Sequence, residues 1–147
     1  NDLGFNARGS GERGINGSFG NFNVHIKLLT TTLYNASPVL YTITVNDAKL
    51  YQMFSSDYFK EGNAIRLIKT TTTLNHGEVG SYTGNDGTVY GSICIETLGG
   101  KQEWLSENLK ETKWSDGTDI PNVTDNTAWS LLQSAACCDI NNDPTKR

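Results

Sequence analysis

Basic charge is scarce in this chain. Twelve lysines and arginines stand against sixteen acidic residues, for a net charge of −4, and they gather into no stripe. Nucleic-acid binding therefore lacks its electrostatic footprint, and no polybasic segment offers itself to an anionic membrane. Long hydrophobic runs are missing as well, since no apolar stretch approaches the ~20 residues of a bilayer-spanning helix. Histidine is limited to His25 and His76 and cysteine to Cys94, Cys137 and Cys138. No Cys-x-x-Cys spacing occurs and neither histidine completes a zinc pattern, so no metal site is expected. No Gly-x-Ser-x-Gly is present, and nothing around either histidine sets a base beside a nucleophile. Asp86, Asp116, Asp119 and Asp125 fall in polar turns and read as solvated turn formers rather than paired catalytic carboxylates. The expectation is a non-enzyme without catalytic residues or cofactor.

What remains is a β-rich balance. Hydrophobic residues make up 36% of the 147 and charged residues 19%, with Gly, Asn, Ser and Thr filling the difference. The length suits one compact domain or two small ones and allows a real core without disulfides. With Asn1 first and Asp143-Pro144-Thr145-Lys146-Arg147 last, the chain reads as processed or as a piece of something longer.

Residues 1–23 read as a Gly/Asn-rich loop, pinned to a core by Phe5, Phe19 and Phe22. Its Gly9-x-Gly11-x-x-Gly14 lacks the flanking strand and helix of a dinucleotide site. Strands are expected at residues 24–28, 30–34, 39–45, 48–54, 64–68 and 88–95, from alternation and β-branched or aromatic content. Turns are expected at Asn35-Ala36-Ser37-Pro38, at Asn46-Asp47 and at Asn85-Asp86-Gly87. One short helix is expected near 125–134. Asp125 or Thr124 would cap it, with Ala128, Trp129, Leu131 and Leu132 on its buried face. The fold class is thus α+β, predominantly β, with antiparallel strands.

Asp139-x-Asn141-x-Asp143 opens like a calcium loop, but Pro144 stands at the glycine position, so a hydrogen-bonded turn is expected instead. Cys94 has the options of bridging to Cys137 or Cys138 in an oxidising compartment or of remaining a thiol with the others; Cys94–Cys138 is the candidate disulfide. Asn16-Gly17-Ser18, Asn35-Ala36-Ser37 and Asn122-Val123-Thr124 are sequon-like and matter in a glycosylating host. Tyr34, Tyr41, Tyr51, Phe54, Tyr58 and Phe59 crowd one segment among polar residues, where rigid rings supply contact area at low entropic cost.

Residues 84–143 carry a pattern. It runs through Gly84-Asn85-Asp86-Gly87-Thr88-Val89-Tyr90, Glu103-Trp104-Leu105-Ser106-Glu107-Asn108-Leu109-Lys110 and Asp116-Gly117-Thr118-Asp119-Ile120-Pro121. It continues through Asn122 to Trp129 and closes at Cys138-Asp139-Ile140-Asn141-Asn142-Asp143. This resembles the opening of the Fibrobacter succinogenes major paralogous domain. Leu3-Gly4-Phe5-Asn6-Ala7, Arg13, Asn16-Gly17-Ser18-Phe19, Thr30-Thr31-Thr32-Leu33-Tyr34-Asn35-Ala36-Ser37 and Gly62-Asn63-Ala64-Ile65-Arg66-Leu67 resemble that domain's far end. Residues 1–69 thus look like its C-terminal half, 84–147 like its N-terminal half, and 70–83 like a Thr/Gly linker. The order is inverted, as in a window across tandem copies, a permuted chain, or a polymer whose neighbours supply missing pieces.

The family is similar to C-type-lectin-like domains of bacterial surfaces and phage structural proteins, whose closing strands carry a ligand face. The chain departs from the pattern at Ile26-Lys27-Leu28-Leu29, where a Trp is expected, and at Leu67, where many members have Cys. The resemblance implies an extracellular, cell-surface or virion-surface binding or adhesion module for a glycan or protein ligand. The alternative is a fibre or capsid-decoration subunit assembling with copies of itself. Neither nucleic acid nor membrane insertion is expected. Strand alternation with mixed polar and aromatic character selects His25, Lys27, Tyr41, Thr42, Thr44, Tyr51, Gln52 and Met53 as the ligand face.

Overall fold

A computed structural model describes residues 9–44 and 47–146. In chain order the strands are β1 (Ser10–Arg13), β2 (Phe19–Phe22), β3 (His25–Tyr34), β4 (Ser37–Thr44), β5 (Asp47–Phe54), β6 (Gly62–Asn63), β7 (Ile68–Lys69), β8 (Val79–Thr83), β9 (Val89–Thr97) and β10 (Gly100–Leu105). One α-helix follows among the described residues, α1 (Asn126–Ser130), with short 3₁₀ turns elsewhere. All pairings between these strands are antiparallel. The molecule is α+β and predominantly β. No helix among the described residues is long and apolar enough to cross a membrane.

The chain divides into two compact units, and the division differs from the expected one. Among the described residues, a continuous unit takes residues 65–119, and a split unit is made from residues 9–64 together with residues 120–146. The expected linker at 70–83 contains β8, hydrogen-bonded along β9. Its Thr- and Gly-rich composition hid a strand whose partner is supplied by the following hairpin turn.

The continuous unit is a four-stranded sheet of order β7-β10-β9-β8. Tyr90, Ile93, Cys94 and Leu105 are buried in it, and the Tyr90 hydroxyl accepts from the Lys110 amide at 3.0 Å. The carboxylate of Glu111 is nearly buried and accepts from the amides of Asn85 (2.5 Å) and Asp86 (3.0 Å), so it holds the β8–β9 turn from below.

The split unit holds two three-stranded sheets, β2-β1-β6 and β3-β4-β5. Residues 9–23, expected as loop, contain β1 and β2 paired as a hairpin. Both strands have only four residues, one of them a glycine, which leaves too little alternation to read. Phe19 lies over the Arg13 guanidinium at 4.8 Å, whereas Phe22 is exposed; Phe5 lies outside the described residues. The β3–β4 turn falls at Asn35-Ala36 as expected, with both residues at positive φ (49° and 62°). Asn46 of the other expected turn lies outside the described residues. The strand expected at 64–68 shrinks to Ile68–Lys69.

The helix is shorter than expected. Asp125 caps it, its Oδ1 accepting from the Ala128 amide at 2.7 Å. It stops at Ser130, so Leu131 is exposed, Leu132 half-buried, and Trp129 alone is buried on it. Asp139–Asp143 is a hydrogen-bonded turn, Asn142 N to Asp139 O at 2.9 Å and Asp143 N to Ile140 O at 3.0 Å.

Three loops share one construction. In residues 14–18, 84–88 and 114–118 the first amide donates to the fifth carbonyl, at 2.9, 2.8 and 2.8 Å. The fourth residue, Gly17, Gly87 or Gly117, sits at φ 83°, 87° or 85° and donates back to the first carbonyl. The third residue, Asn16, Asp86 or Asp116, accepts on its side chain from the fifth amide, at 3.0, 2.9 and 2.9 Å. This is a type I turn closed by a left-handed glycine and locked by an Asx side chain, and it explains the recurring Asn/Asp-Gly-Ser/Thr of the sequence.

Candidate functional site

The sheet β3-β4-β5 carries all eight residues singled out for ligand contact, and its register sorts them onto two faces. Lys27, Thr42 and Tyr51 stand in one cross-strand row, with His25 and Thr44 on one side of it and Leu40 and Met53 on the other. Leu28, Tyr41 and Gln52 form a row on the opposite face, flanked by Ile26, Ile43 and Leu50 and by Val39 and Phe54. The expected ligand face is therefore not one surface. His25, Lys27, Thr42, Thr44, Tyr51 and Met53 share a side, while Tyr41 and Gln52 point the other way. Alternation along each strand is legible in sequence, but the pairing register that aligns the strands is not.

On the Lys27 side the sheet meets the β1 hairpin and the stretch after β5. Lys27 Nζ lies 2.6 Å from Glu12 Oε2 and 2.9 Å from Glu61 Oε2, with its side chain 9% exposed. His25 Nε2 shares Glu12 Oε2 at 2.7 Å, and Asn21 Nδ2 donates to Glu12 Oε1 at 2.9 Å. The ammonium also stands 5.5 Å from the centre of the Tyr58 ring. Burial works against the charge on Glu12, but the bonds from Lys27, His25 and Asn21 outweigh it and hold its carboxyl below the ordinary range. Burial likewise opposes the Lys27 charge, and the two carboxylates reverse that and push its ammonium up. A buried cation between two acids is a satisfied structural network. Thr42 is buried too and donates to Met53 Sδ at 3.8 Å.

The Tyr41 side is different. It is closed at Ile26 and Val39, each buried, and open toward β5. Leu50 is 58% exposed, Phe54 45% and Tyr34 56%. The Tyr34 and Phe54 rings stack at 4.7 Å with a 33° tilt, so the end of β3 and the end of β5 are joined by an exposed aromatic pair. Tyr41 is half-buried on the same face, and Gln52 is exposed opposite it. Tyr34, Phe54 and Leu50 are not among the eight; the first two are visible in the sequence as aromatics, but only the register places them on the face of Tyr41.

Cys94 and Cys138, the candidate disulfide, are both thiols and form no bond with each other. Cys94 is fully buried in the continuous unit and its Sγ donates to Leu74 O at 3.4 Å. Cys138 belongs to the split unit, where burial pushes its thiol up beside Arg13. No group of three or more His, Cys, Asp or Glu among the described residues is placed to hold a metal ion. No family model, no curated protein and no solved structure matches the chain.

Proposed function

We propose that this chain is a lectin-like binding or adhesion module of an extracellular, cell or virion surface, taking a glycan or protein ligand on the Tyr41 side of β3-β4-β5. The observation that carries the reading is the exposed Tyr34–Phe54 pair, on the same sheet face as Tyr41 and the Gln52 amide. Flat rings with one polar neighbour suit the C–H face of a sugar or the side chains of a protein loop. His25 and Lys27 take no part in contact with the ligand, because Glu12 and Glu61 occupy them. The resemblance of residues 84–143 to a lectin-like family supports the same class of function.

A glycan array and a cell-surface binding screen test it with Tyr34→Ala, Tyr41→Ala and Phe54→Ala, each checked for an unchanged circular dichroism spectrum. Removal of one central aromatic anchor is expected to weaken binding ~10-fold or more. Met53→Ala, on the other face, is expected to bind as the parent does. Binding unchanged in all three aromatic variants would rule out this face.

A further inference from the structure

The chain after Asp119 returns to the split unit only after the whole continuous unit has been traversed, and one side chain receives it. Arg13 is 1% exposed. Its Nη1 donates to the Val123 carbonyl and its Nη2 to the Thr124 carbonyl at 3.0 Å and to Asn126 Oδ1 at 3.2 Å. Nε is held locally by Gly17 O at 2.9 Å. The guanidinium also sits 4.4 Å from the Trp129 ring, with Phe19 as its other aromatic neighbour. Two glycines make room. A Cβ on Gly17 would stand 2.5 Å from Asn126 O, and one on Gly62 would stand 3.0 Å from the Trp129 ring.

This is the anatomy of a docked peptide. A fork of donors reads two main-chain carbonyls, and one large ring is the anchor. The contacts to Val123, Thr124, Asn126 and Trp129 each join residues before Ile65 to residues after Asp119, and none depends on the intervening chain. The docked segment is tied in by a short joint. Asp119 is bridged to Lys113 in the continuous unit, Asn122 is bridged to Cys137 in the split unit, and Ile120-Pro121 lie between.

We infer that the Arg13 cradle accepts residues 120–146 of a second copy of this chain, so that two copies exchange these segments and each completes the other's split unit. The exchanged contacts are the same ones made within a single chain, so the change in contact energy is close to zero and only the joint differs. The balance is then set by concentration. Exchange competes with closure once the chain approaches the effective concentration of a short connection, about 1 mM. The inference is independent of the ligand face proposed above.

Full-length Arg13→Ala retains a sound donor segment, and full-length Trp129→Ala retains a sound cradle. The two are refolded from denaturant separately and as an equimolar mixture at about 1 mM, one of them isotope-labelled, then diluted and examined by native mass spectrometry. The mixed dimer contains one intact Arg13–Trp129 stack, and it is expected to exceed either homodimer ~10-fold, equivalent to about 1.4 kcal/mol. Dimers in statistical proportion, or no dimers, would overturn the inference. A second measurement does not rely on the variants folding. Labelled and unlabelled parent chains are refolded together at the same concentration and chemically cross-linked. Cross-links from residues 9–64 to 120–146 are expected to join labelled with unlabelled peptides, and links confined to single copies would refute the exchange.

Discussion

Arg13 sits between glycines in Gly11-Glu12-Arg13-Gly14, a setting that reads as a solvated loop, yet its guanidinium is the buried centre of the split unit. Its acceptors at Val123 and Thr124 lie 110 and 111 positions away, so no local signal announces it. Arg13→Ala removes the donor to the Gly17, Val123 and Thr124 carbonyls and two ring contacts, and is expected to cost about 3 kcal/mol in urea unfolding. Arg13→Lys recovers little of that, because an ammonium does not reproduce the planar fork. Ala36 poses the opposite case. It holds φ 62° in a two-residue turn where glycine carries no such penalty. Ala36→Gly is therefore expected to raise the unfolding free energy by about 1 kcal/mol. Glu12 and Lys27 set a pH window. The lowered carboxyl of Glu12 contributes stability that is complete above the ordinary glutamate value of 4.5 and is lost as pH falls below it. The raised ammonium of Lys27 contributes stability that is complete below 10.5 and is lost as pH rises above it. Denaturant midpoints measured across pH are expected to fall off at both ends, and Glu12→Gln is expected to flatten the acid limb.

At the scale of elements, the repeated turn offers a graded comparison. Gly87→Ala and Gly117→Ala place a Cβ in open space and carry only the left-handed backbone penalty, about 1–2 kcal/mol. Gly17→Ala adds the collision with the Asn126 backbone and is expected to exceed both. Urea midpoints of the three variants check the order. Equal losses at all three would show that the Asn126 contact is slack. What could be read in advance follows the same physics. β4 was legible because Val39-Leu40-Tyr41-Thr42-Ile43-Thr44 is long and β-branched, and the Asn85-Asp86-Gly87 turn because its chemistry is local. β1, β2 and β8 were not, because short strands with glycine gain their stability from partners distant in sequence. α1 was placed correctly by its Asp125 cap but overextended, since nothing local marks its end at Ser130. For the candidate site, the sequence was informative about which strands and which aromatics, while the split between the Lys27 side and the Tyr41 side required the register.

At the scale of the whole molecule, the double crossing of the chain between two units predicts where damage spreads. Arg13→Ala is expected to raise amide hydrogen exchange across residues 9–64 and 120–146 while leaving β8, β9 and β10 protected, as read by peptide-resolved mass spectrometry. Faster exchange throughout 65–119 as well would show that the two units open together. The return of the chain to Arg13 also bears on its manufacture. A ribosome releases the β1–β2 hairpin early, but two of the carbonyls that Arg13 binds belong to Val123 and Thr124. At roughly 5–20 residues per second, the hairpin waits on the order of ten seconds for them. During that interval the sheet of residues 65–119 is fully emitted and free to form, so the unit that holds the β1–β2 hairpin is completed after it. Translation speed through the stretch between Ile65 and Asp119 therefore sets how long an unfilled cradle is presented to neighbouring nascent chains on the same message.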